Sequence, residues 1–279
     1  MKAEETRITC GDVELYGELR IPDKVPAPAV LVCHGMNAQG YHVLKIYSKL
    51  AEAACDAGFV SLLFDFRGVG RSTGRFDYGS AEQHDFKCVL NFLASRPEVL
   101  QNKIYVVGHS LGGAVSLIML KNEKRVRALV LWAVPKNHDY NVRKFIRRTR
   151  GKLGLSLFML LSPFDRVVNV SVLFKLQVYG LNLRIKEVRE KLMKLNETEA
   201  VSKLDGLPVL VAVGSSDKIV GEDEAREVYS SALGPKSLCI IKSADHIFNG
   251  KEEQLISKTL EWIKKWNNDG LPIQSGTNA

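Results

Sequence analysis

Ser110 stands in Gly108-His109-Ser110-Leu111-Gly112-Gly113, a G-x-S-x-G spacing that suits a hydroxyl presented for attack on an acyl carbon. Glycines two residues to either side let the backbone bend sharply and let the flanking elements approach. A serine hydroxyl is a weak nucleophile near neutral pH. It needs a histidine to take its proton and a carboxylate to hold that histidine in one tautomer. Asp217 and His246 are the pair whose surroundings match that need. The tetrahedral oxyanion formed in acyl transfer requires two N–H donors. The spacing assigns them to the main chain of Leu111, directly after the nucleophile, and of Met36, directly after His34-Gly35.

Each of these residues is expected at the carboxyl end of a strand. The β-branched run Lys103-Ile104-Tyr105-Val106-Val107 precedes the serine, and a segment with helical spacing, Ala114 to Leu120, follows it. Ala29-Val30-Leu31-Val32 leads into Cys33-His34-Gly35-Met36. Val209 to Val213 leads into the loop with Asp217, and Ser237 to Ile241 precedes Asp245-His246. Residues 6–21 read as a hairpin around Gly11-Asp12. Strands are then predicted at 28–34, 59–65, 103–108, 127–133, 208–213 and 236–241. Helices are predicted at 43–57, 80–95, 110–122, 222–233 and 252–266, with Gly58 ending the first of them as a C-cap does. Such alternation implies βαβ crossovers, an α/β fold with a mostly parallel sheet flanked by helices.

The order Ser110, Asp217, His246, together with the elbow hexapeptide and the His34-Gly35 turn, resembles the serine-dependent branch of the α/β-hydrolase superfamily. The loop Asp65-Phe66-Arg67-Gly68-Val69-Gly70-Arg71-Ser72-Thr73-Gly74 resembles the glycine-rich loop that these proteins carry. Among subfamilies the chain is similar to the bacterial feruloyl (cinnamoyl) esterases and to the monoacylglycerol-lipase and serine-aminopeptidase-like group. The resemblance implies a carboxylesterase acting through an acyl-enzyme, with Ser110 as nucleophile, His246 as base and Asp217 as its partner. It leaves open a membrane-surface lipase or lysophospholipase, an acyl-thioesterase, a peptidase, and a binding protein that keeps the fold without the chemistry. It implies no cofactor and a small-molecule ester as the partner.

The expected organisation is a hydrolase core at 1–134 and 205–266, a cap inserted at 135–204, and a polar tail at 267–279. Charge sets the cap apart. Of the chain's net charge of +8, residues 136–204 supply +9, from 15 Lys and Arg against 6 Asp and Glu. The bland reading is a solvated helix face, Arg143 to Arg150. The functional one is steering of anionic substrates, or adhesion to an anionic membrane beside the apolar stretch Leu153 to Leu161. Leu157, Phe158, Met159, Leu160, Phe164, Val172, Leu173 and Phe174 are candidates for the pocket wall or for plain packing, and the apolar part of the cap offers a surface for a homodimer. Nucleic-acid binding is disfavoured, since the basic residues come without a recognisable module.

No run approaches the roughly 20 apolar residues of a spanning helix, and the amino terminus lacks the pattern of a signal peptide. Five cysteines, an odd number without paired spacing, read as reduced thiols in a cytoplasm. Cys33 ends a strand and is not read as a nucleophile. The histidines and carboxylates lack H-x-x-H or H-E-x-x-H spacing, so no metal is expected. His34 is expected to be structural, and His42, His84, His109 and His138 have no carboxylate in the matching order. Asp65 and Asp85 are expected to bind loops or cap helices, and Asp245 to be a loop or surface group.

Overall fold

In the computed structural model, which describes residues 1–149, 175–178 and 181–268, an eight-stranded sheet carries the chain from end to end. Strands β1 (Lys2–Cys10) and β2 (Val13–Ile21) form the expected hairpin. β2 runs antiparallel to β4 (Val60–Phe64). From there β3 (Ala27–Cys33), β5 (Val99–His109), β6 (Val126–Trp132), β9 (Val209–Gly214) and β10 (Lys236–Ile241) pair in parallel. The spatial order is β1-β2-β4-β3-β5-β6-β9-β10, so the parallel part opens outward from β3 and every crossover carries a helix.

The central strands are buried on both faces, as a near-continuous apolar run requires. Ala29, Leu31 and Cys33 of β3 join one core, shared with α2 (Glu82–Ser95) and α3 (Leu111–Met119). Val30 and Val32 face the other, shared with α1 (Lys45–Asp56) and the long C-terminal helix α8 (Glu252–Asn268). Gly58, at φ +87°, closes α1 with its amide on the Cys55 carbonyl, the left-handed cap position that favours glycine. α8 runs through Asn268, two residues into the segment expected as tail.

Within 135–204, where the alternation breaks down, the chain forms α4 (His138–Thr149), a short hairpin of β7 (Lys175–Val178) and β8 (Leu181–Arg184), α5 (Ile185–Glu190) and α6 (Glu197–Val201). α7 (Glu222–Ser231) then follows β9. Buried charges hold α4 in place. His138 Nδ1 lies 2.5 Å from Oε1 of the fully buried Glu197, and Lys144 Nζ 2.5 Å from Oε1 of the fully buried Glu224 on α7. Asn141 donates to the Ile219 carbonyl, two residues past Asp217. The apolar stretch Leu153 to Leu161, the candidate wall residues from Leu157 to Phe174, and positions 269–279 of the tail lie outside the described residues.

The cysteine reading needs correction. Cys10, at the end of β1, and Cys88, on α2, form a disulfide across 78 residues, while Cys33, Cys55 and Cys239 are free. That separation carries no signal in the sequence, because only the packing of α2 on β1 brings the two together. Structural disulfides belong to oxidising compartments, which sits against the cytoplasmic placement. Among the described residues, the three metal-ligating side chains that converge are these two cysteines and His84, and the disulfide consumes both thiols. In the chain-entropy account a loop of this length stabilises by about 4.5 kcal/mol. Cys88→Ser is therefore expected to lower the urea midpoint to match, and an unchanged midpoint would show that the bond does not form in solution. Among the described residues no helix is long and apolar enough to cross a membrane.

Candidate active site

The turn from β5 into α3 places Ser110 at φ 49°, ψ −118°, a region that a side chain bearing Cβ occupies only under strain. Its amide is held by the Trp132 carbonyl at 2.8 Å, continuing the β5–β6 ladder, while Ala114 N–H closes on the Ser110 carbonyl as the first turn of α3. Gly112 makes this bend tolerable. A Cβ there would meet the Cys33 and His34 carbonyl oxygens at 2.4 Å, so the start of α3 packs backbone to backbone on the end of β3.

That contact sets the His34-Gly35-Met36 turn beside the serine. A Cβ on Gly35 would lie 3.4 Å from Ser110 Cβ and 3.0 Å from His109 Nδ1. The Gly35 carbonyl accepts from His34 Nδ1 at 2.7 Å and from Asn37 Nδ2 at 2.9 Å. In a planar trans peptide the Met36 N–H points opposite to that carbonyl, so these two bonds fix the direction of the Met36 donor. Leu111 is the first residue of α3, where a helix leaves its N–H without an intrahelical partner. His34 is structural, as expected: its Nε2 accepts from the Phe66 amide at 3.1 Å, and burial holds its pKa below the usual value.

On the far side of the sheet's switch, β9 and β10 deliver the other two residues. Asp217 is buried, and its Oδ1 accepts from the amides of Ile219 at 2.8 Å and Val220 at 2.9 Å. Its Oδ2 lies 2.9 Å from His246 Nδ1. With the carboxylate accepting at Nδ1, the imidazole carries its proton there and keeps the Nε2 lone pair free for a base's work. The His246 loop is held against the elbow: His109 Nε2 lies 3.0 Å from the His246 carbonyl, and the two rings are 5.1 Å apart. Ser110 and His246 are half-buried while Asp217 is closed off.

The remaining candidates take other positions. Asp65 accepts from the Tyr41 and Arg71 amides, each at 2.9 Å, and Asp85 grips the Arg67 guanidinium at 2.6 Å, so both build the glycine-rich loop. Exposed Asp245 accepts from the Ile247 and Asn249 amides within its own turn. Burial pushes the Cys33 thiol up to about 12, which removes it as a nucleophile. His42 lies tilted against the Tyr41 ring, with centroids 4.0 Å apart, and His84 sits beside the disulfide. One residue at the site was not foreseen. Tyr47, at an apolar-periodic position of α1, accepts from the Gly35 amide at 3.1 Å and reaches His109 Nδ1 at 2.5 Å. Helical spacing marks it only as core, and nothing in its neighbours signals the polar end.

Known proteins agree with this architecture. Residues 24–252 match the profile of the family described as serine aminopeptidase, S33. A thiohydrolase of Arthrinium phaeospermum, apmlB, is 33% identical over 121 residues, which is 42% of this chain and 38% of that protein. The structure of Est1E from Butyrivibrio proteoclasticus with ferulic acid bound superposes with a TM-score of 0.74 at 19% identity, over 94% of this chain and 99% of the other. An esterase of Pyrococcus furiosus, Pf2001, does so at 0.69 and 21%, over 95% and 91%. With the sheet order, the elbow and a profile match that spans most of its length, the chain belongs to the serine aminopeptidase S33 family of α/β hydrolases.

Proposed function

We propose that the protein is a serine hydrolase that cleaves carboxylic esters through an acyl-enzyme. The observation that carries this reading is the approach of Asp217 and His246 to a strained serine elbow. Ser110 attacks the carbonyl carbon while His246 Nε2 takes its proton, and Asp217 orients His246 and stabilises the imidazolium. The amides of Met36 and Leu111 receive the oxyanion. His246 then protonates the leaving alcohol, and afterwards activates the water that releases the acid from Ser110. Residues 135–204 act as the cap over this site, and the basic excess there favours substrates or surfaces of negative charge.

A thioester is the second reading, favoured by the thiohydrolase relative. The same residues serve it, since attack and oxyanion stabilisation are common to both bonds. Hydrolysis of p-nitrophenyl esters from acetate to palmitate, methyl ferulate and an acyl thioester, by wild type and Ser110→Ala, tests both. Turnover that depends on Ser110 is expected, with the preferred bond showing which reading holds. Turnover that survives Ser110→Ala would refute the nucleophile.

A further inference from the structure

The hydrogen bonds behind the elbow allow only one arrangement of protons. The His246 carbonyl can only accept, so His109 Nε2, 3.0 Å away, carries the hydrogen. Nδ1 of the same ring is then a lone pair and accepts from the Tyr47 hydroxyl at 2.5 Å. The Tyr47 oxygen, having donated its hydrogen, accepts the Gly35 amide at 3.1 Å. Gly35 N–H, Tyr47 O–H and His109 N–H thus point the same way along one chain. It begins in the turn that carries the Met36 donor and ends on the main chain of His246.

We propose that His109 is a positioning residue, which with Tyr47 ties the base loop to the elbow and to the oxyanion turn so that His246, Ser110 and the Met36 amide keep one mutual geometry. This rests on the serine-hydrolase reading above. Three further features support it. The His109 and Tyr47 side chains are buried, so water does not compete for the bonds. Burial, with His246 beside it, lowers the His109 pKa to about 3, which favours the neutral ring that the chain requires. The His246 loop has need of a tether, since Ser243 and Phe248 both adopt positive φ, 59° and 56°, conformations that non-glycine residues hold only under constraint. The elbow's variable position is therefore not filled for packing alone. Leucine would match the bulk of the ring and leave the His246 carbonyl without its donor.

The test compares His109→Leu, His109→Gln and Tyr47→Phe with wild type, using p-nitrophenyl butyrate turnover, labelling by a fluorophosphonate, and hydrogen exchange of the peptide spanning 243–250. Displacement of a catalytic group by about 1 Å costs on the order of 100-fold. His109→Leu is accordingly expected to lower kcat by about that factor, with KM within about twofold, and labelling slows in step. Exchange of 243–250 speeds up. Tyr47→Phe has a smaller effect of the same kind, and the Tyr47→Phe/His109→Leu double variant is no worse than His109→Leu alone. His109→Gln, whose amide can still donate to the His246 carbonyl, recovers most of kcat.

A folded His109→Leu with wild-type kcat, or a glutamine variant as impaired as the leucine one, overturns the proposal. Unchanged exchange at 243–250 overturns it independently of any activity. Failure of the serine-hydrolase reading shows differently, as wild-type protein whose labelling or turnover does not depend on Ser110.

Discussion

Asp217→Asn is expected to lower kcat by about 10⁴-fold while leaving the fold in place. The two shapes are the same, and an asparagine oxygen can still accept from the Ile219 and Val220 amides that now hold Oδ1. The group facing His246 Nδ1 at 2.9 Å would then be an NH₂ donor. Two donors cannot share that bond, so the imidazole moves its proton to Nε2, where it can no longer serve as base. Loss of the negative charge also leaves the imidazolium of the transition state uncompensated in a buried setting. Since the residues of such a site act as a unit, Asp217→Asn combined with Ser110→Ala should be no slower than Ser110→Ala alone. Steady-state kinetics with a p-nitrophenyl ester, supported by a thermal melt, checks this. A folded Asp217→Asn within about tenfold of wild type would remove Asp217 from the mechanism.

Stability should fall as the solution is acidified below the ordinary histidine range, before most carboxylates titrate. His109 carries a pKa of about 3 in the folded protein against the 6.5 of an ordinary histidine, because burial and the neighbouring His246 and His34 disfavour a second proton. Between these values the unfolded chain binds a proton that the folded chain refuses. The stabilisation is therefore fully present above pH 6.5 and is lost as pH falls toward 3. At about 1.4 kcal/mol per pK unit the whole effect is about 5 kcal/mol, an upper bound reached only at the acid end. His34, also lowered by burial, adds in the same direction. Urea unfolding at a series of pH values from 7.5 to 5 should give a positive slope of stability with pH. His109→Gln, which cannot titrate, should show a shallower slope in that window. Identical slopes would mean that His109 is already accessible to protons in the native state.

The two predictions draw on different kinds of information. Asp217 was recognisable from the chain alone, because a strand of Val209 to Val213 must end in a loop and a parallel sheet delivers its strand ends to one edge. The same reasoning reached the positions of Ser110 and His246, while the glycine-rich loop came from the family resemblance, and periodicity gave the helices of the core to within a few residues. Local periodicity and turn chemistry decide such features, and both are written in consecutive residues. The insertion at 135–204 gave no such pattern. Apart from α4 its described elements are short, and the ties that hold α4, such as His138 to Glu197 and Lys144 to Glu224, join residues 59 and 80 positions apart.

By itself, then, the amino-acid sequence determined the α/β architecture, the elbow at Ser110 and the strand ends that carry Met36, Asp217 and His246. Each follows from hydrophobic period, glycine placement and chain order, which act over a few residues at a time. Only the tertiary structure decided that Cys10 bonds Cys88, that Asp85 grips Arg67 of the glycine-rich loop, and that Tyr47 and His109 reach from α1 through the elbow to the His246 carbonyl. Those depend on how helices seat against the two faces of the sheet. A tyrosine on a buried helix face looks like any other core residue until packing brings a partner to its hydroxyl.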